Sequence, residues 1–169
     1  MSDERLIATV PAAPWLPHGS HAEAWAGHEC LVPDPCIIVR LLLVRHTTRG
    51  VEFFCVPTPR GLDLPSLPLS AGSAGVSTTE GVSSLASKTL GRADIEHRCV
   101  GYIRNVVPEG DADYPHPKPW AHVPVFVPTK GTEPVCEGSW VSLDDARPEL
   151  QGRHWLPIVE HHLSTFATR

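Results

Sequence analysis

The chain has 169 residues, 41% of them hydrophobic, and 14 Lys and Arg against 19 Asp and Glu give a formal net charge of -5. That length suits one domain with a core of ordinary size. The acidic balance and the scattering of single basic residues exclude a broad phosphate-tracking nucleic-acid surface, and no run approaches the ~20 apolar residues of a membrane span.

The opening MSDERLIATV lacks the charged and apolar regions of a signal peptide. Five cysteines without a C-x-x-C pair read as reduced thiols, so a cytoplasmic protein is expected. Residues 1–35, proline-rich from residue 10 onward, are expected to form an N-terminal extension packed on a domain spanning 36–169.

Residues 36–45 (CIIVRLLLVR) form a β-branched and Leu-rich run, long enough for a strand buried on both faces. Thr47-Thr48-Arg49-Gly50 is a turn, and residues 51–56 (VEFFCV) return as a second strand. Leu64-Pro65 then leads into a Gly/Ser loop. Further strands are expected over 97–107 and 121–127, and Gly138-Ser139-Trp140-Val141 runs into an acidic helix start at 142–146. A terminal helix covers 155–166, with Pro157 tolerable only in its first turn.

Between the loop and Gly91 the spacing predicts a helix. Val82, Leu85, Ala86, Thr89 and Leu90 recur at i, i+3, i+4, i+7 and i+8, one apolar stripe. Ser77 followed three residues later by Glu80 has capping-box spacing, and Gly91 suits the left-handed position past the end. Glu80, Ser84, Ser87 and Lys88 stack on the opposite side, the pattern of an ordinary solvated face.

The order strand, turn, strand, Leu64-Pro65, loop, helix, Gly91, strand, strand and terminal helix resembles the Nudix hydrolases. In that family Leu-Pro-Gly-Gly precedes a Gly-x5-Glu-x7-Arg-Glu-x-x-Glu-Glu-x-Gly box. The resemblance implies an α+β fold, a Nudix-like α/β/α sandwich with a curved mixed sheet between the box helix and a C-terminal helix. It also implies box glutamates holding Mg2+ or Mn2+ against a pyrophosphate. Here the motif's two glycines fall on Ser66 and Leu67, and the first acidic positions on Ser70 and Ser73 around Gly72. Allowing two inserted residues, the Arg-Glu pair falls on Ser83 and Ser84, and the Glu-Glu pair on Ser87 and Lys88. Magnesium needs anionic oxygen ligands, and serine hydroxyls are neutral. The expectation is a relative of nucleoside-diphosphate-derivative pyrophosphohydrolases that binds a nucleotide-like ligand with weak or no hydrolysis.

Two alternatives stay open. An active hydrolase could assemble a metal site from Glu80 and the acidic loop of Glu109, Asp111 and Asp113. An interaction or regulatory protein would need no small-molecule site. Arg104 and Asn105 are candidate phosphate or base contacts, and Tyr114 or Trp120 could stack on a base. Membrane and nucleic-acid partners are not expected, while a homodimer is open. Ten histidines show no helical His-x3-His spacing, which argues for surface or hydrogen-bonded roles over zinc. No Gly-x-Ser-x-Gly elbow occurs, so a serine hydrolase is a minor reading.

Overall fold

The structure is a computed structural model and describes residues 2–69, 77–110 and 112–166. Strands β1 (Arg5–Pro11), β2 (His21–Ala26), β3 (Ile38–Leu41), β4 (Val44–Thr47), β5 (Gly50–Thr58), β6 (Gly61–Asp63) and β7 (Ser66–Pro68) precede helix α1 (Thr78–Leu90). After it come β8 (His97–Val106), β9 (Trp120–Pro128), β10 (Ser139–Ser142), α2 (Leu143–Leu150) and α3 (Leu156–Ser164). A six-stranded sheet has the order β1-β2-β8-β9-β3-β7, and a smaller one the order β10-β5-β4 with β6 paired to β5.

The larger sheet is mixed: β3 runs parallel to β9, whereas its other pairings are antiparallel. Helix α1 packs on β3 and β7, and α3 packs on β1, β2 and β8. Each face carries its own core. Val39, Leu41, Tyr102 and Phe126 join Val82, Leu85 and Ala86 of α1, while Val100, Ile103 and Val123 join Ile158 and Val159 of α3. This is the α/β/α sandwich expected from the resemblance. A register shift between Cys99 and Gly101 explains why same-face residues of β8 lie three apart there rather than two. Among the described residues no helix is long and apolar enough to cross a membrane.

Two expectations are redrawn. Residues 1–35 are joined to the rest by more than packing, because β2 pairs with β8 along its whole length and β1 pairs with β2. The N-terminal segment therefore supplies two strands of the larger sheet. Residues 36–45 do not form one strand. After β3 the chain crosses between sheets: Leu42 N–H donates to the Phe126 carbonyl, and the Leu43 carbonyl accepts from Phe54 N–H. Leu42 and Leu43 are both buried, so the crossing has the same apolar sequence as a buried strand.

Helix α1 forms as its sequence dictates. The Ser77 hydroxyl accepts from Glu80 N–H at 3.1 Å, and Ser77 N–H donates back to the Glu80 carboxylate at 3.4 Å. Gly91 adopts φ 72°, and its N–H closes onto the Ser87 carbonyl. All five stripe residues are buried. Gly81 lets the helix lie close on the residue after β7, since a Cβ there would meet the Leu69 side chain.

Candidate functional site

The edge of α1, where Lys88 flanks the buried stripe, borders a cleft of about 330 Å³. Lys88 and Thr89 line it from the helix, Pro57, Pro65 and Ser66 from the strands, and Cys136 and Glu137 from the loop after β9. The backbone tie from Val135 N–H to the Thr89 carbonyl at 2.8 Å holds that loop against the helix. Ser66, where the motif has glycine, is fixed in place. Its hydroxyl accepts from Arg40 Nη1 at 2.6 Å and donates to the Leu64 carbonyl at 2.7 Å.

Behind the cleft lies a half-buried polar hub centred on Asp63. Its Oδ1 accepts from Arg40 Nη1 at 3.0 Å, from Trp155 Nε1 at 2.7 Å and from Leu64 N–H at 2.8 Å. Its Oδ2 pairs with Arg153 Nη1 at 3.2 Å. Arg153 also donates to the carbonyls of Leu62 and Arg60, which ties α3's lead-in to the strand end before Leu64-Pro65. His154 sits 3.4 Å from Arg40, and burial, then the Arg40 charge, pushes it down to about 3. The hub orders the approach to the cleft through Ser66.

The candidate box positions separate. Of the described ones, Lys88 lines the cleft; Ser84 and Ser87 are exposed on the same helix, and Ser83 is half-buried. Ser70 and Ser73 lie outside the described residues, as does Asp111. Glu80 is occupied by the capping box. Glu109 and Asp113 line a different hollow with His18 and Ser20 of the β1–β2 connection, and no residue of α1 borders it. Among the described residues, no group of three or more His, Cys, Asp or Glu is placed to hold a metal ion. A hard divalent cation needs several anionic oxygens. The cleft offers the carboxylate of Glu137 beside the ammonium of Lys88, and this donor set does not fit Mg2+ or Mn2+.

Arg104 and Asn105 point to opposite faces of β8, as consecutive strand residues do. Arg104 lies 4.2 Å over the Trp120 ring and 5.2 Å over Trp25, and it donates Nε to His122 Nε2 at 3.1 Å. Asn105 is buried and accepts from Trp15 Nε1 at 3.1 Å. Trp120 keeps an exposed outer face, while Tyr114 packs edge-on to His116 with its hydroxyl buried. None of these four lines the α1 cleft. Glu137 and Cys136, which do, carry no local motif; only the loop's return to Thr89 places them there.

Cys36, Cys55 and Cys99 are poor nucleophiles. Burial pushes Cys36 up to about 11 and Cys55 up to about 12, and Cys99 is raised first by its contact with Cys30 and then by burial.

Fold and site define an α+β sandwich domain with a helix-bordered cleft. No protein-family model matches the sequence, and no curated protein does. Among solved structures, the chain is similar to the NUDIX domain of Shewanella oneidensis NrtR, determined in complex with ADP-ribose. The identity is 13%, over 78% of this chain and 90% of that one, with a TM-score of 0.48.

Proposed function

We propose that this is a Nudix-like domain that binds a nucleotide-like ligand in the cleft beside α1 and does not hydrolyse it by metal chemistry. One observation carries the reading. The helix face that would present glutamates presents Ser84, Ser87 and Lys88 to solvent, and Lys88 reaches the adjoining cleft. A lysine there offers a phosphate a direct cationic partner where a catalytic site would place a bridging metal. Pro57, Pro65 and Leu85 supply apolar walls, the usual lining of a small-molecule pocket.

The test is calorimetric titration with ADP in chelator. Heat of binding without metal, weakened about tenfold or more by Lys88→Ala, is the expected result. Absence of binding, or binding and cleavage that require magnesium, would refute the proposal.

A further inference from the structure

A second cavity, of about 220 Å³, lies apart from the α1 cleft and shares no lining residue with it. It sits where the end of β9 and its following loop meet the start of β4 and the C-terminal turn of α3. Arg98, Lys130, His46 and His162 all line it, and no carboxylate does. Two cations and two imidazoles thus share one small space in a chain of net charge -5.

These groups are not spent on one another or on acids. Arg98 uses Nε on the His28 carbonyl at 2.9 Å, and no ion pair among the described residues reaches Arg98, Lys130 or His46. Asp94 and Glu96 line a neighbouring hollow that shares Lys130, yet neither comes within ion-pair distance of it. Independently, His162 is only 5% exposed and its Nε2 has no hydrogen-bond partner. Folded proteins seldom leave such an atom unpaired, and a bound water or ion is one standard reason when they do. Burial, followed by the nearby charge of Arg98, pushes His162 down to about 4, so near neutrality it is an uncharged ring able to donate one N–H.

We propose that this cavity is a binding site for a small phosphate-type oxyanion, held by Arg98, Lys130 and His162. The volume decides against a whole nucleotide, because drug-sized ligands occupy pockets of roughly 300–1,000 Å³. A tetrahedral oxyanion presents several acceptors at once, which suits a guanidinium, an ammonium and a ring N–H converging from different elements. The anion could be free phosphate or the phosphoryl group of a small monoester; the two share the chemistry the site reads.

The protein is titrated with inorganic phosphate, then with glycerol 3-phosphate, while the His162 ring and Gly131 amide resonances are followed by NMR. Sodium chloride at matched ionic strength is the control. Saturable shifts are expected with one or both phosphates and not with chloride. Tighter binding of the ester would assign the site to monoesters, and tighter binding of inorganic phosphate to the free ion. Lys130 is exposed, so Lys130→Ala should leave the fold intact and weaken the midpoint about tenfold, the loss of one charge-assisted contact. Lys88→Ala, in the other cleft, should leave it unchanged, which separates this site from the proposed nucleotide cleft. Shifts that track ionic strength, that vanish in Lys88→Ala, or that persist undiminished in Lys130→Ala would overturn the assignment and leave a water-filled hollow.

Discussion

Two polar regions meet at the Leu64-Pro65 segment, and they are built on opposite principles. The hub around Asp63 is half-buried and closed, and both of its carboxylate oxygens are engaged by Arg40, Arg153, Trp155 and the Leu64 amide. The outer face of α1 is open, and Ser84, Ser87 and Lys88 there meet solvent. In the first region charge is structural; in the second, hydroxyls and one ammonium stand where a metal-binding helix would concentrate acid. The Ser84, Ser87 and Lys88 positions of α1 therefore offer a divalent cation no anionic oxygen.

Breaking the hub should have the largest effect. Asp63→Ala leaves Arg40, which is 6% exposed, without its counter-charge. Uncoupling a buried pair typically costs about 3–5 kcal/mol, measurable as a lowered denaturation midpoint. Next comes the buried side of α1. Leu85→Ala should destabilise by roughly 2–5 kcal/mol, the range for a buried large-to-small change, whereas Ser84→Ala on the exposed face should stay within about 0.5 kcal/mol. Equal effects at the two positions would mean that the helix faces are assigned backwards.

The hub also sets a pH dependence. His154 is held neutral in the fold with its pKa lowered to about 3, against ~6.5 in an unfolded chain. Between those values the unfolded chain takes up a proton that the folded chain refuses. The stabilisation is therefore complete above about pH 6.5 and is lost as pH falls toward 3, at up to ~1.4 kcal/mol per pH unit. Chemical denaturation at pH 7, 6 and 5 should show a shallower decline for His154→Gln than for the unaltered protein. A smaller effect than that of the buried positions is expected at the cap. Ser77→Ala removes the hydroxyl that accepts from Glu80 N–H and should cost about 1 kcal/mol.

The two regions also differ in how far they can be read from sequence. Helix α1 is legible in full, because its period, its Ser77–Glu80 box and its Gly91 stop are local signals. The Asp63 hub is not, since its partners lie 23 residues before it at Arg40 and 92 after it at Trp155. Strand β2 escapes notice for a different reason. Its buried positions are Ala22, Ala24 and Ala26, a period-two pattern in a residue with little strand preference. The crossing at Leu42 and Leu43 is hidden inside an unbroken apolar run. Glu137 reaches the cleft only through the fold of its loop. Sequence makes Arg104 a candidate phosphate or base contact, and its stacking on Trp120 depends on the β8–β9 register, which is not a local signal.

The proposal that α1 has the geometry of a metal-binding helix without its carboxylates is tested most directly by a melting curve of Ser84→Glu, Ser87→Glu, Lys88→Glu combined, in magnesium and in chelator. In chelator the triple variant should melt below the unaltered protein, because crowded carboxylates repel one another and an acidic helix C-terminus opposes the helix dipole. Millimolar magnesium should restore much of that loss, since a cation bound only by the folded state stabilises it by mass action. Identical curves in magnesium and chelator would contradict the account, leaving α1 an ordinary surface helix with no latent metal geometry.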